Sequence, residues 1–115
     1  MITRTKQNQR MSQLVKYDGF IETAGQVAET PALDIKGQTL EVLGNIEALL
    51  ASVGASKQNL TRIQIWLADM GDFDAMNAVY EDWLADVEKP VRACVESRLA
   101  APEYLIEVQA FAYLK

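Results

Sequence analysis

Three side chains capable of chemistry alternate with apolar or small residues near the end of the chain, in the segment Pro90–Glu96. Alternate residues of a strand share one face, so Arg92, Cys94 and Glu96 are expected on a common face. Glu107 lies in a second alternating segment, and if the two segments are neighbouring strands, Arg92 and Glu107 share a polar side. Arginine can bind a carboxylate or phosphate through two parallel hydrogen bonds. A carboxylate beside it can orient a water or carry a proton.

The same pattern also has a purely structural explanation. An ion pair between Arg92 and Glu107 that only holds two strands together would account for it. The arginine would lower the pKa of Glu107, whereas burial would raise it, and the sequence leaves that balance open. Cys94 has no histidine to favour its thiolate, so it is expected to be a small packed residue.

Other polar residues give weaker signals. Helix capping and compensation of the helix dipole explain the acidic cluster at 69–74 more simply than metal binding does, and Asp72 is predicted to cap the second helix. Thr23 and Gln26, on either side of Ala24 and Gly25, are strand-end polar groups that a ligand could use.

Composition excludes several classes of function. The 115 residues include no histidine and one cysteine, so Cys/His zinc sites and histidine-dependent nucleophilic catalysis are excluded within the chain. Glycine-rich phosphate-binding motifs are also missing, so neither a dinucleotide nor a nucleotide phosphate site is predicted. Eleven basic against sixteen acidic residues give a net charge of −5, which argues against nucleic acid as a partner. The lone cysteine, the polar residues 1–10 and the lack of a long apolar run predict a cytoplasmic protein without a membrane segment.

The hydrophobic pattern predicts the elements that must position these groups. Strands are predicted at 11–17, 20–26, 60–67, 90–96 and 104–113, and helices at 35–53 and 72–87. Asp18-Gly19 is a hairpin signal between the first two strands. Gly44 within the first helix suggests close packing. The expected apolar stripes of the two helices are Leu40, Leu43, Ile46, Leu50 and Val53, and Phe73, Met76, Tyr80, Trp83 and Val87.

This order predicts a single α+β domain over residues 1–115, a sandwich with two helices on one face of a mixed sheet. The other sheet face then needs cover, which predicts oligomerisation.

Several segments together resemble the YjgF/Rid family, which includes RutC-like proteins. The C-terminal signature is carried by PVRACVE at 90–96, RL at 98–99 and IEV at 106–108. TAGQ at 23–26, LAD at 67–69, DF at 72–73 and MN at 76–77 followed by Tyr80 also fit, in the expected order.

The resemblance implies a chorismate-mutase-like fold and a homotrimer with ligand clefts between subunits. It further implies hydrolysis of reactive enamines and imines, of the 2-aminoacrylate or 2-iminobutanoate type, to 2-keto acids and ammonia, without a metal or an organic cofactor. In this chain Arg92 would bind the substrate carboxylate, the backbone at Cys94 would help to hold the ligand, and Glu107 would position water. Gly25 and its neighbours would line the cleft.

The chain departs from the family pattern at two residues and in the loop between Leu99 and Ile106, which is about one residue longer than in typical members. Met11 stands where deaminating members carry a tyrosine, and Ala24 stands where they carry a serine. Both changes remove hydroxyls, which favours an alternative hypothesis: a non-catalytic trimer that binds small carboxylates such as keto acids and regulates a partner protein. The endoribonuclease activity attached to some members is a third hypothesis, which the net charge and the missing histidine oppose.

Overall fold

A six-stranded mixed sheet carries two helices on one of its faces. The computed structural model describes residues 1–115. The strands are β1 (Thr3–Thr5), β2 (Leu14–Tyr17), β3 (Phe20–Thr23), β4 (Leu60–Leu67), β5 (Val91–Glu96) and β6 (Ile106–Tyr113), and the helices are α1 (Ile35–Ala51) and α2 (Phe73–Trp83). The predicted fold class and the predicted order of elements from the hairpin onward are confirmed. The short strand β1 was missed because a three-residue polar segment carries no hydrophobic pattern.

The strand order across the sheet is β1-β2-β3-β6-β4-β5. Only β4 and β5 pair in parallel, as expected for two strands joined by a helical crossover through α2. All other pairs are antiparallel. The last strand therefore inserts between β3 and β4, and β5 becomes an edge of the sheet.

The predicted hairpin turn joins β2 to β3. Asp18 and Gly19 both have positive φ, 50° and 86°, as a primed two-residue turn requires. The strands that the turn joins are shorter than predicted, because the chain leaves the regular ladder at Leu14 and at Thr23.

The core lies between the helices and the sheet. Helix α1 begins at its N-cap Asp34, whose side chain accepts a hydrogen bond from the N–H of Gly37. Its buried residues are Gln38, Thr39, Val42, Leu43, Ile46, Leu49 and Leu50. Leu40, predicted to face the core, is 64% exposed, because the buried face is centred one position away. Gly44 is also exposed, and an added Cβ would meet no atom within 4 Å, so the expected close packing is wrong.

Helix α2 packs beside α1 on the same side of the sheet. Met76 and Tyr80 are buried, while Phe73 and Trp83 are half-buried against the core. Asp72 occupies the N-cap position but its side chain makes no capping hydrogen bond, so that prediction is wrong. Asp69 instead accepts a hydrogen bond from the N–H of Gly71 and begins the 3₁₀ turn that precedes the helix.

The opposite face of the sheet carries apolar side chains without cover from the chain's own helices. On this open face Phe20 is 54% exposed, Val91 69% and Val95 46%. No helix of the structure has the length and apolar character needed to cross a bilayer.

Candidate functional site

Arg92 lies on the edge strand β5 and faces α2. Its register partner in β4 is the fully buried Ile63, which places it on the helix-covered face of the sheet. Its Nη1 donates a 2.7 Å hydrogen bond to Oδ1 of Asn77. The guanidinium carbon lies 4.8 Å from the ring centroid of Tyr80 and 5.6 Å from that of Phe73. No carboxylate pairs with Arg92, since the only ion pair in the structure joins Lys57 to Asp86.

Glu107 lies on the other face of the sheet. Its register partner in β4 is Trp66, on the open face, whereas Arg92 is level with Ile63. Strand β4 also lies between β5 and β6. The backbones of Arg92 and Glu107 are two strand spacings apart across the sheet, which is about 10 Å. They are also three residues apart along the strand direction, which is again about 10 Å. The expectation that Arg92 and Glu107 share a polar side within one chain is therefore wrong.

The error has a physical cause in β5. On an interior strand the alternating valines would be the buried set, but Val91 and Val95 point to the open face. Because β5 is an edge strand, the polar side chains of Arg92 and Glu96 are accommodated on the helix side, where α2 leaves them partly in solvent. Glu96 there accepts a hydrogen bond from the N–H of Met70 at 2.9 Å.

Cys94 lies next to Arg92 on the same face and packs against the core. Burial raises the pKa of its thiol, and the neighbouring Arg92 opposes that shift only in part. Its side chain is therefore a packed thiol, as expected. The N–H of Ser97 bonds to Leu67 in β4, so alternation along β5 directs the N–H and carbonyl of Cys94 to the free edge of the sheet.

Glu107 meets Gly25 across the end of β3. The two are brought together because Gln26 and Val108 exchange backbone hydrogen bonds of 2.7 and 3.0 Å. An added Cβ at Gly25 would overlap a carboxylate oxygen of Glu107 and lie 2.9 Å from its Cδ. The carboxyl group thus occupies the space that any other residue at this position would fill.

The carboxyl group of Glu107 is half-buried and makes no hydrogen bond within the chain. Burial raises its pKa above the ordinary 4.5, and Arg92, on the other face, does not oppose the shift. Of the two effects that the sequence left open, burial therefore prevails within one chain.

The remaining candidates lie in the segments just after β3 and just before β2. Ala24 donates its N–H to the carbonyl of Gln13, so the ladder of β2 and β3 continues beyond its regular part. Gln26 donates its side-chain amide to Oε1 of Gln13 at 2.8 Å. Met11 lies in the loop before β2, where its N–H donates a hydrogen bond to Oδ1 of Asn8. Its side chain is 49% exposed.

Thr23 has a structural role instead. It is 3% exposed, and its hydroxyl accepts a hydrogen bond from the N–H of Ala110 at 3.0 Å. The acidic residues at 69–74 fit the explanation by capping through Asp69 and the explanation by the helix dipole through Asp74, which lies in the first turn of α2. The structure has no group of three or more His, Cys, Asp or Glu side chains arranged to hold a metal ion.

The candidate residues thus form two groups. Arg92 and the backbone of Cys94 lie at the β5 edge, and Glu107 lies with Gly25 and Ala24 on the other face. Asn77 and Tyr80 were missed as functional neighbours of Arg92, although their spacing from Phe73 by four and seven residues places all three on one helix face. The order strand, helix, strand predicts that α2 packs against β5, and this order was the signal that Asn77 and Tyr80 would lie near Arg92.

The largest surface cavity lies elsewhere. It measures about 640 Å³ and is lined by Ala68, Glu96, Ser97, Arg98, Leu99, Ala100, Ala101, Pro102 and Tyr104. Neither Arg92 nor Glu107 lines it. We therefore place the candidate site at the unpaired side chains of Arg92 and Glu107 and not at the largest cavity.

Comparisons with known proteins identify the family of this chain. The profile described as Endoribonuclease L-PSP matches residues 1–114. A RutC family protein of Haemophilus influenzae is 38% identical over 112 residues, which cover 96% of this chain and 97% of the relative. The chain belongs to the YjgF/Rid family.

Solved structures of YjgF/Rid proteins share the fold. A YjgF family member from Neisseria meningitidis superposes with a TM-score of 0.96 at 36% identity, covering 100% of this chain and 96% of that one. Yeast Mmf1 superposes with a TM-score of 0.91 at 27% identity, covering all of both chains. The YjgF-like fold expected from the signature is confirmed.

Proposed function

We propose that this YjgF/Rid protein hydrolyses reactive enamines and imines of small amino acids, of the 2-aminoacrylate or 2-iminobutanoate type, to 2-keto acids and ammonia. The observation that carries the proposal is the carboxyl group of Glu107. It is half-buried over Gly25, its pKa is raised, and it has no partner in the chain. Such a group can exchange a proton near neutral pH more readily than an ordinary exposed carboxylate.

The chemistry needs a proton carrier and a fixed substrate. Glu107 accepts a proton from water as the water oxygen attacks the carbon of the protonated imine, which gives a neutral carbinolamine. Glu107 then donates that proton to the nitrogen, the C–N bond breaks and ammonia leaves, and the carbinolamine hydroxyl gives its proton to the Glu107 carboxylate as the ketone forms. An enamine first takes a proton from solvent on its terminal carbon and becomes the protonated imine. Because imines are already electrophilic, orientation and one proton carrier supply most of the rate.

Arg92 supplies the second requirement. Its guanidinium has no carboxylate partner in the chain, so two N–H donors remain for a substrate carboxylate. The outward N–H and carbonyl of Cys94 lie beside it on the same edge. Both features suit a small anionic substrate better than a neutral one.

We further propose that the two groups act together in a homotrimer, across clefts between subunits. One chain holds Arg92 and Glu107 on opposite faces, so a small ligand can contact both only if they come from different chains. Val91, Val95 and Phe20 are exposed on the open sheet face, and burying them in an assembly accounts for their apolar character.

The first experiment is ammonia release from freshly generated 2-iminobutanoate and 2-aminoacrylate. We expect wild type to exceed the buffer rate, and Arg92→Ala and Glu107→Gln each to lose about 100-fold or more, as losses of a bound charge and of a proton carrier do. Arg98→Ala, which removes another exposed arginine outside the candidate site, is the matched control and should retain the wild-type rate. Wild type and buffer at equal rates would contradict the proposal.

Mixing the two inactive variants tests the shared cleft. If each site takes Arg92 from one chain and Glu107 from the next, equal and random mixing gives about a quarter of the sites both intact groups, because the interfaces of a closed three-membered ring are heterologous. We expect activity to recover toward that level after the subunits are unfolded and refolded together. No recovery would place both groups in one chain's site, against the geometry above.

A second candidate function is carboxylate binding without turnover. Met11 and Ala24 favour it, because neither offers the hydroxyl that the family's deaminating members carry there. Keto acids would then raise the melting temperature through Arg92 while ammonia release stays at the buffer rate.

We do not extend the ribonuclease description of the matched profile to this chain. The chain contains no histidine for acid–base chemistry, and its net charge of −5 opposes RNA binding.

A further inference from the structure

We infer that Asn77 is a positioning residue for Arg92: with the rings of Phe73 and Tyr80 it forms an uncharged cradle that fixes the guanidinium and leaves its charge for an anionic ligand. The inference rests on the proposed role of Arg92 as the carboxylate-binding group. In this role Asn77 does not itself touch the substrate, but it sets the orientation in which Arg92 binds the substrate carboxylate.

The cradle belongs to a single helix face. Phe73, Asn77 and Tyr80 are spaced by four and three residues along α2, so their side chains project toward the same strand. Guanidinium has only donors, so the 2.7 Å bond to Asn77 uses one N–H and fixes the rotation of the group. The ring of Tyr80, at 4.8 Å from the guanidinium carbon, supports it from a second direction.

The cradle is neutral, and this matters for binding. An aspartate has the shape of asparagine, but at position 77 it would form a charge-assisted pair with Arg92. Such a pair would compete with a ligand carboxylate for the same donors. The asparagine carbonyl orients the arginine through one bond and leaves the net positive charge of the site intact.

The two roles of Asn77 can be separated by an isosteric substitution. A residue that only joins α2 to β5 would be replaced by aspartate with no loss, because the new ion pair also joins them. A residue that keeps the arginine available would not. Asn77→Asp is therefore expected to keep or raise the melting temperature while it weakens anion binding, and no purely structural role predicts that combination.

The experiment titrates the full-length protein with 2-oxobutanoate in a calorimeter at pH 7 and records a melting curve for each variant. We expect Arg92→Ala to abolish measurable binding, Asn77→Asp to weaken it at least tenfold, and Asn77→Ala to weaken it about fivefold because the tether is lost. Gln58→Glu makes the same amide-to-carboxylate change at an exposed, distant position and should bind within twofold of wild type.

Each outcome decides between the two proposals. If Arg92→Ala loses binding while both Asn77 variants bind like wild type, the positioning role is wrong and the carboxylate site stands. If Arg92→Ala binds like wild type, the carboxylate site is wrong and the role of Asn77 is lost with it. Should Asn77→Asp fail to fold, Asn77→Ala still tests the tether, and wild-type affinity in that variant overturns the inference.

Discussion

Replacing Gly25 by alanine should lower the rate of the proposed reaction while it leaves the stability of the fold nearly unchanged. The backbone at Gly25 does not have the positive φ that favours glycine, so alanine introduces no strain there. The added methyl group would instead collide with the carboxyl group of Glu107, at 2.9 Å from its Cδ. Because that group is the far end of a flexible side chain, it can rotate away into the open face.

The size of the two effects follows from this contact. At 2.9 Å, Cδ of Glu107 is about 0.6 Å short of an ordinary carbon–carbon contact of about 3.5 Å, and the overlapped carboxylate oxygen is closer still, so the carboxylate must shift by roughly 1 Å or more. A misplacement of about 1 Å of a reacting group can lower the rate about 100-fold. Gly→Ala lowers the entropy of the unfolded chain and stabilises by about 0.4–1 kcal/mol, which offsets the rearrangement of Glu107. Stability should therefore change by less than about 1 kcal/mol.

Ammonia release and urea denaturation measure the two effects. Gly44→Ala is the matched control, since an added Cβ there meets no atom within 4 Å and the position lies inside α1. It should stabilise by about 1 kcal/mol without a change in rate. Wild-type activity in Gly25→Ala would refute the placement of Glu107 in the chemistry. A loss of several kcal/mol would instead show that the glycine serves the fold.

Three further outcomes are expected. Burial raises the pKa of Glu107, so the native state holds its proton to higher pH than the unfolded chain and stability falls as pH rises above about 4.5. Glu107→Gln should therefore melt higher than wild type at pH 7, with the difference vanishing below pH 4, in melting curves across pH. Gln38→Met should cost about 3 kcal/mol or more in urea denaturation, because the buried amide bonds the carbonyls of Pro31, Leu33 and Glu103 and the N–H of Leu105. Asp34→Ala should lose about 1 kcal/mol in the same assay, whereas Asp34→Ser should retain most of the cap.

The fold was predictable where periodicity and turn chemistry agree. Asp18-Gly19 marks the hairpin because few residues tolerate two successive positive φ values, and β4 matches its predicted range because Ile63, Ile65 and Leu67 are buried on one face. Gln38 could not be recognised from the pattern. A fully buried amide is unusual, and its partners at 31–33 and 103–105 come from loops that only the tertiary fold brings together.

The candidate site was predictable in its residues but not in its geometry. Alternation shows which residues of a strand share a face, yet it does not show which face the helices cover. The valines of β5 suggested a buried side, but they lie on the open face because β5 is at the edge of the sheet. Strand order was the other missing fact, since nothing local to β6 indicates that it inserts between β3 and β4.

The separation of Arg92 from Glu107 has a consequence for the chemistry. Two opposite charges on neighbouring strands would form an ion pair, which would lower the pKa of the carboxyl group and occupy the donors of the arginine. Held on opposite faces, each group keeps the property that the proposed reaction needs: a raised pKa in Glu107 and an unpaired charge in Arg92. A substrate with a carboxylate at one end and an imine carbon at the other has the charge pattern to fit between them. In the proposed assembly, the two groups would meet only across a cleft between chains, on either side of the ligand.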